Sequence, residues 1–488
     1  MRGLICILTL FLLASHPVQA SGLLQAQSPY LQSHASDPVQ WRTWSDTAFA
    51  EAKKTGKPVL LSIGYLACHW CHVMQAESFT NHTVAQFINA NFIPILVDRE
   101  SQPAIDTTYQ HAVANFGGPT GWPLTVFLTP DRAPFWGGGY FPQPARGGMP
   151  SFLDILQATK RAYQEDPGAV QRTAVRALDQ LHNMANSVPG EITMSKVHHA
   201  ARTLATKLDP LQGGFGHGAK FPNLPALTLI WKTAITTDNK VLKDAVIESL
   251  HHMVHSTLFD HVGGGFFRYT IDPAWRVPHY EKMLDVQAHW IALLTSVWLE
   301  TQDLDIKLRL DQTVQFVRDT MHQDIGGFIS AFDADSANAR GLKEDGAYYT
   351  WTLEQLHQIF GSNFKTFSKR FALALPEHGF SDGPGAIYAL DVFAEDASVL
   401  LAPLRKAQKN RQAPATDDKI IATWNADLIR ALAHYHSATT PNQPLPHDIG
   451  DTYQLLRDRL MNAPDGPFRV LYQNKPTATA VLDDIAAM

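Results

Sequence analysis

Hydrophobic and polar positions along residues 45–141 predict short helices alternating with buried strands. SDTAFAEAKKTGK predicts a helix with Ser45 or Asp46 as its N-cap and Gly56 as its end. The apolar runs PVLLSIGY, FIPILVD and LTVFLTP predict buried strands, and FWGGGYFP predicts a fourth strand after the turn DRAP. Helical patterns lie between them, from Cys68 to about Phe79 and then in VAQFINANF and AIDTTYQHAVANF. This alternation with a closing hairpin predicts a small α/β sheet, wrapped by the irregular, aromatic residues 21–44.

Beyond about residue 190 the pattern becomes helical. The helical periods are VHHAARTLATKL, LPALTLIWKTAI, VLKDAVIESLHHMVHSTL, IALLTSVWLETQ, LRLDQTVQFVRDTMH and NADLIRALAHYH. Between them a Gly-rich signal recurs at Gly213, Gly263 and Gly326. Spacing of this kind predicts a repeat of helix pairs, each closing with a Gly turn and a short strand. The glycines also fit turn chemistry alone, so a functional role for these loops stays open.

Composition narrows the classes of function. The chain has 488 residues, 45% of them hydrophobic, and a formal charge of −6, which is typical of a globular protein of two or three domains. Because no long Lys/Arg run is present, a nucleic-acid partner is not expected. Residues 1–20 have a charged start, an apolar run and a small residue at Ala20, which predicts a secretory signal cleaved there. We therefore expect a periplasmic or secreted protein without a membrane span.

Export leaves the mature chain with two of its three cysteines, Cys68 and Cys71, in the string CHWCH. Read as C-x-x-C, the string is a dithiol that cycles with a disulfide. Read as C-x-x-C-H, it is a haem c attachment site with His72 as the axial ligand. A zinc site that adds His69 is a third reading, although one helical turn places four ligands poorly for tetrahedral geometry. The buried strand before the motif favours the dithiol, with no metal and no cofactor beyond the Cys68–Cys71 disulfide.

The position of the cysteines suggests how a dithiol would work. They follow a predicted strand and open a predicted helix, whose free N–H groups and partial positive charge stabilise a thiolate. In such a site the first cysteine, Cys68, is usually exposed and attacks, and Cys71 resolves the mixed disulfide. His69, if protonated, would stabilise the reduced form and favour an oxidant or isomerase. His69 and Trp70 are equally compatible with a packing role.

Several strings together resemble a known family. SPYLQSHASDPVQW, KPVLLSIGYLACHWCHVM, GWPLTVFLTPD, DHVGGGFFRYTIDPAWRVPHYEKML and GGFISAFDADS are similar to the family of spermatogenesis-associated thioredoxin-like proteins, from about Leu23 onwards. The resemblance implies an α/β thioredoxin-like domain at 21–185 followed by an all-α (α/α) toroid of the six-hairpin glycosidase type at 190–488. It also implies that Cys68 is the nucleophile, Cys71 the resolving thiol and Pro123 the cis-proline, which would expose the backbone of Trp122 to an extended substrate. About ten helices are predicted for the toroid, fewer than a closed ring needs. We therefore expect a ring that is open, a ring that a partner completes, or a truncated chain.

Polar residues of the second domain supply a further candidate site. Arg268, His279 and Glu281 cluster with aromatic neighbours, and Asp333 and Asp335 alternate so that both carboxylates face one side of an extended segment. Such residues suit substrate binding, or acid/base work on a sugar, with Trp351 and Trp424 either lining the cavity or lying in the core. The leading hypothesis is thiol–disulfide exchange with a protein thiol, a protein disulfide or a glycan as partner. The alternatives are a carbohydrate-active enzyme with a structural thioredoxin domain, and a non-catalytic binding protein.

Overall fold

The computed structural model describes residues 22–186, 190–374, 384–390 and 397–488. The predicted signal peptide lies outside these residues. They form an N-terminal α/β domain and a larger helical domain, and none of the helices in these ranges is long and apolar enough to span a bilayer. One hydrophobic core runs from the first domain into the second, so the predicted boundary at residues 185–190 stays a prediction.

A five-stranded sheet in the order β1-β3-β2-β4-β5 forms the centre of the N-terminal domain. Its strands are β1 (Arg42–Thr43), β2 (Val59–Gly64), β3 (Ile93–Asp98), β4 (Leu124–Leu128) and β5 (Pro134–Gly138). Strands β1 and β2 run parallel to β3, whereas β4 is antiparallel to β2 and β5. Every residue of β2, β3 and β4 is buried, which explains their continuous apolar runs. The topology confirms the thioredoxin-like fold.

Helices cover both faces of this sheet. They are α1 (Pro29–Ser33), α2 (Asp46–Thr55), α3 (His69–Met74), α4 (His82–Asn91), α5 (Pro103–Asn115), α6 (Phe152–Glu165) and α7 (Pro167–Ala185). The hydroxyl of Ser45 accepts a hydrogen bond from the Ala48 N–H at the start of α2, and Gly56 ends it in the left-handed region at φ 66°, as predicted. The segment expected to be irregular instead contains α1 and β1. Strand β1 has two residues, too few to show a period of two.

The helices of the second domain lie in two rows, an inner one and an outer one. They are α8 (Met194–Ala205), α9 (Leu224–Thr236), α10 (Lys240–His255), α11 (Leu284–Thr301), α12 (Leu304–Phe316), α13 (Leu353–Phe360), α14 (Phe364–Phe367), α15 (Ala397–Gln408), α16 (Ala422–Thr439), α17 (His447–Leu455) and α18 (Leu482–Ala487). Helices α9, α11, α16 and α18 form an inner row, and α8, α10, α12 and α17 pack outside it. These two rows confirm the (α/α) toroid class. In the described ranges the inner row has fewer helices than a closed six-hairpin ring.

Short strands occupy the loops at the end of the toroid that faces the N-terminal domain and elsewhere on the helical domain. They are β6 (Tyr269–Thr270), β7 (Pro278–His279), β8 (Lys282–Met283), β9 (Ala331–Phe332), β10 (Asp335–Ala337), β11 (Lys343–Asp345), β12 (Phe371–Ala374), β13 (Ala386–Ala389), β14 (Thr416–Asp417), β15 (Ile420–Ile421), β16 (Phe468–Tyr472) and β17 (Lys475–Thr479). Strands β7, β10 and β11 carry His279, Asp335 and Asp345, which lie beside His69 of the CHWCH motif.

Two of the Gly-rich loops share one design. In the first, Lys220 is buried and its Nζ donates to Asp209 Oδ2 at 2.6 Å and to the Gly213 carbonyl at 2.9 Å. In the second, Lys282 Nζ makes the equivalent bonds to Asp260 Oδ2 and the Gly264 carbonyl, each at 2.7 Å. The other oxygen of each aspartate accepts backbone N–H groups of its own loop. These residues therefore stabilise the turns, as the turn interpretation expected.

Candidate functional site

The cysteine pair lies where β2 passes into α3. Cys68 is the N-cap residue of α3, and its Sγ accepts a hydrogen bond from the Cys71 N–H at 3.2 Å. The two residues form a disulfide, with Cα atoms 5.3 Å apart. Cys68 is 4% exposed and Cys71 2%. The expectation that Cys68 is exposed was wrong, because the helical domain covers the face of the N-terminal domain on which it lies.

The peptide bond between Trp122 and Pro123 is cis, as the family resemblance implied. Trp122 is fixed by a hydrogen bond from its Nε1–H to Asp106 Oδ1 at 2.9 Å, and the guanidinium of Arg99 lies 4.1 Å from its ring. A second cis bond, Gln143–Pro144, has no counterpart in the sequence predictions.

Two carboxylates of the helical domain reach the histidines of the CHWCH motif. His69 Nδ1 lies 2.7 Å from Asp335 Oδ1, and His72 Nε2 lies 3.1 Å from Asp333 Oδ1. Between these contacts the Ala334 N–H donates to the Ala67 carbonyl at 3.3 Å. The two alternating aspartates face the same partner, as the sequence predicted. They contact the two histidines of the CHWCH motif, each through one carboxylate oxygen.

The charges of these aspartates change the protonation of both histidines. Burial alone lowers the pKa of His69, but the hydrogen bond to Asp335 and the charges of Asp345 and Asp335 outweigh it, so the pKa is raised. The pKa of His72 is raised in the same way, with burial opposed by the hydrogen bond and charge of Asp333. A positive charge on His69 next to Cys68 favours the thiolate.

Arg268 and Glu281 approach the motif from the other side. The Tyr65 hydroxyl donates to Glu281 Oε2 at 2.6 Å, and Arg268 Nη1 donates to Glu281 Oε1 at 3.1 Å and to the Tyr65 oxygen. Burial lowers the pKa of Arg268, but Tyr65 and Glu281 raise it above its ordinary value, so the guanidinium stays charged. Trp122 lies 5.0 Å from this guanidinium, which joins the predicted cis-proline element to the predicted second-domain cluster.

His279 completes the set of predicted residues. Its Nδ1 lies 2.6 Å from Asp345 Oδ2, and its ring is 5.4 Å from that of His69. His69, Asp335 and Asp345 each place one ligand atom within 4.8 Å of the others, and these donor types suit a divalent cation. In this geometry each of the three already has a protein partner, His69 with Asp335 and Asp345 with His279.

These residues enclose a cavity of about 340 Å³ between the domains. Of the predicted site, Cys68, His69, Trp70, Trp122, Pro123, Arg268, His279 and Glu281 line it. Cys71, Asp333 and Asp335 lie behind this lining. Trp351 and Trp424 are buried in the core and do not line the cavity.

Sequence reasoning missed several members of this site, namely Tyr65, Tyr140, Phe221, Tyr269 and Asp345. Tyr65 stands three residues before Cys68, so its position beside the motif was a usable signal. Asp345 gave none, because its role depends on the pairing of β10 with β11 that brings it beside Asp335.

A second polar contact also joins the domains. Lys419 of the helical domain is fully buried, and its Nζ lies 2.6 Å from Asp98 Oδ2, 2.9 Å from Glu100 Oε2 and 3.2 Å from Asp417 Oδ2. Three carboxylates around one ammonium leave an excess of negative charge. Burial, together with the charges of Asp417 and Asp98, raises the pKa of Glu100 to about 7 despite the attraction of Lys419. No sequence signal pointed to this cluster.

The positions of His72 and of the two sulfur atoms can be compared with the needs of a haem c site. His72 Nε2, the axial ligand that haem c would need, lies 2.7 Å from the Leu66 carbonyl and 3.1 Å from Asp333. Both sulfur atoms are bonded to each other and enclosed between the domains. The arrangement favours the dithiol interpretation.

Comparison with known proteins confirms the family resemblance. Residues 20–182 match the family described as Thioredox_DsbH, protein of unknown function. Spermatogenesis-associated protein 20 of Mus musculus is 32% identical over 462 residues, covering 86% of this chain and 58% of the mouse protein. An uncharacterized protein of Caenorhabditis elegans is 31% identical over 458 residues, covering 85% of this chain and 62% of that protein. The chain thus spans about three fifths of the length of these relatives.

Two solved structures are also similar to parts of the chain. A structure described as DsbH oxidoreductase matches with 20% identity and a TM-score of 0.20, covering 25% of this chain and 83% of that one. A sugar epimerase from a ruminal bacterium matches with 13% identity and a TM-score of 0.27, covering 59% of this chain and 93% of that one.

Proposed function

We propose that Cys68 and Cys71 carry out thiol–disulfide exchange. The chain is a relative of the spermatogenesis-associated proteins, and its residues 20–182 match the Thioredox_DsbH family. The observation that supports this is the Cys68–Cys71 disulfide at the start of α3, in one cavity with the cis Trp122–Pro123 bond. A helix start and a nearby cationic histidine are the surroundings that activate a thiol.

In the reduced protein the Cys68 thiolate attacks one sulfur of a substrate disulfide and the other sulfur leaves as a thiolate. Cys71 then attacks Cys68, which releases the second substrate thiol and forms the Cys68–Cys71 bridge. Two electrons pass from the protein to the substrate, and the same steps run in reverse when the oxidised protein meets two thiols. His69, held by Asp335, favours the thiolate form of Cys68 and so the oxidising direction.

The helical domain has a supporting role in this proposal. It contributes Arg268, His279 and Glu281 to the cavity wall and fixes the motif histidines through Asp333 and Asp335. The proposal includes export, since an oxidising compartment suits a dithiol that acts as an oxidant.

The test is the reduction potential of the pair in glutathione buffers, with Cys68→Ser and Cys71→Ser as matched variants. We expect a reversible two-electron transition in the native chain. Cys71→Ser should retain a stable mixed disulfide at Cys68, and Cys68→Ser should form none. A potential near or above about −180 mV would indicate an oxidase or isomerase, and one near about −270 mV a reductase. A pair that never equilibrates with glutathione would contradict the proposal.

A further inference from the structure

The attacking sulfur is far less accessible than a dithiol that serves folded proteins requires. Cys68 is almost fully buried, and the cavity above it is walled by both domains. Thiol–disulfide exchange needs direct contact between the attacking sulfur and the sulfur under attack. A disulfide on the surface of a folded protein cannot make this contact while the helical domain covers Cys68.

The cover is fixed in place by buried polar contacts on several sides. Tyr65 donates to Glu281, His69 meets Asp335, and Lys419 meets Asp98, at 2.6, 2.7 and 2.6 Å respectively. Breaking a buried pair of this kind leaves an uncompensated charge, which is strongly unfavourable. The wall is therefore part of the resting protein rather than a loose lid.

The size of the cavity selects small molecules. Its volume of about 340 Å³ is at the lower end of the range for small-molecule sites, roughly 300–1,000 Å³. At about 30 Å³ per water it holds roughly eleven water volumes. A disulfide with two short arms fits this space.

The wall also presents donors without protein partners. Arg268 uses its Nη1 for Tyr65 and Glu281, and in the described part of the chain its Nε and Nη2 make no hydrogen bond. His279 has a side chain only 8% exposed and bonds Asp345 through Nδ1, which leaves Nε2 without a partner among the described residues. The free N–H groups of a guanidinium that lines a cavity suit a carboxylate, whereas Nε2 of the neutral His279 ring accepts a hydrogen bond.

We infer that the cavity binds a low-molecular-weight disulfide, or the corresponding thiol, that carries a carboxylate, with Arg268 as its anion-binding residue. This rests on the proposed function and names its substrate class. The Cys68 thiolate attacks one sulfur of the bound disulfide, one substrate thiolate leaves, and attack by Cys71 releases the second. Two electrons and two protons pass from the protein to the substrate in this direction. The same steps run in reverse when the oxidised protein meets two substrate thiols, which is the direction that His69 favours.

Three small disulfides test the inference on the reduced, full-length chain. They are 3,3′-dithiodipropionate, 2-hydroxyethyl disulfide and cystamine, which are anionic, neutral and cationic versions of one skeleton. Each rate is divided by the rate of the same disulfide with dithiothreitol, which removes intrinsic reactivity. We expect the anion to react at least about tenfold faster than the neutral compound, the factor that one charge-assisted hydrogen bond supplies. Insulin, a protein disulfide, should react more slowly than all three.

The double variant Arg268→Met/Glu281→Gln removes both charges of the ion pair, so that no single buried charge remains. In this variant the normalised rates of the anionic and the neutral disulfide should become nearly equal. Near-ultraviolet circular dichroism checks that the variant is folded. Arg430→Met/Asp427→Asn makes the same change in an ion pair of α16 whose arginine is exposed and that does not line the cavity, and should leave the ratio unaltered.

Rates that follow the dithiothreitol reactivities, or insulin reduced as fast as the small disulfides, would overturn the inference and leave the proposed function intact. Failure of every disulfide to react, with no reversible bridge in glutathione, would overturn both.

Discussion

Replacing Glu100 by Gln should stabilise the protein by an amount that grows as the pH rises above about 4.5 and levels off above about 7. Glu100 is buried beside Lys419, Asp98 and Asp417. Burial and the two neighbouring carboxylates raise its pKa from 4.5 to about 7. The pKa of Glu100 is higher in the folded state than in the unfolded state. The contribution of protonated Glu100 to the stability of the folded protein is therefore fully present below pH 4.5 and is lost as the pH rises through 7.

The size of the effect follows from that shift. One pKa unit corresponds to about 1.4 kcal/mol, so ionisation of Glu100 costs the folded state about 3 kcal/mol by pH 8. Gln has nearly the same shape as Glu and cannot ionise, so it removes this cost. The unfolding entropy is about 2.1 cal/mol/K per residue. For a chain of this length, a gain of about 3 kcal/mol therefore raises the midpoint of thermal unfolding by about 3 °C.

The assay is differential scanning calorimetry of the native chain and Glu100→Gln at pH 5 and pH 8. We expect a small difference at pH 5 and a midpoint about 3 °C higher for the variant at pH 8. Glu191→Gln makes the same chemical change at an exposed position and should shift neither midpoint. An equal difference at both pH values, or a variant that is less stable at pH 8, would refute the reasoning.

The remaining predictions concern contacts between the domains and beneath the disulfide. Lys419→Met leaves buried carboxylates without their cation and should cost about 3–5 kcal/mol, measured by denaturant unfolding, with Lys406→Met as a control away from the cluster. Asp335→Asn should lower the reduction potential, since His69 then loses the partner that raises its pKa; a potential equal to that of the native chain would contradict the role of this pair. The same ion pair is fully present below pH 6.5 and is lost as the pH rises through the raised pKa of His69, so the thermal deficit of Asp335→Asn should be larger at pH 6 than at pH 9. Gly64→Ala places a methyl group 2.9 Å from Cys71 Sγ and should cost about 1–3 kcal/mol in unfolding experiments, whereas Gly22→Ala, in open space, should cost far less.

Much of the fold was predictable because its signals are local. Strands β2, β3 and β4 are buried on both faces, so each is a continuous apolar run that can be read without knowing its neighbours. Helix α2 carries its own start and stop signals at Ser45 and Gly56. Strand β1 was missed because its two residues belong to the sheet only through their pairing with β3.

The sequence by itself therefore determined the chemistry that is available. It placed two thiols at the start of a helix, identified Pro123 through the family resemblance, and marked Arg268, His279, Glu281, Asp333 and Asp335 as polar residues in aromatic or Gly-rich loops. The tertiary structure decided how these groups meet. Asp335 lies 266 residues from His69 along the chain and hydrogen-bonds it across the domain boundary. The burial of Cys68 and the cluster around Lys419 likewise depend on how two separately patterned surfaces pack, since hydrophobic periodicity encodes which face of an element is buried and not which partner covers it.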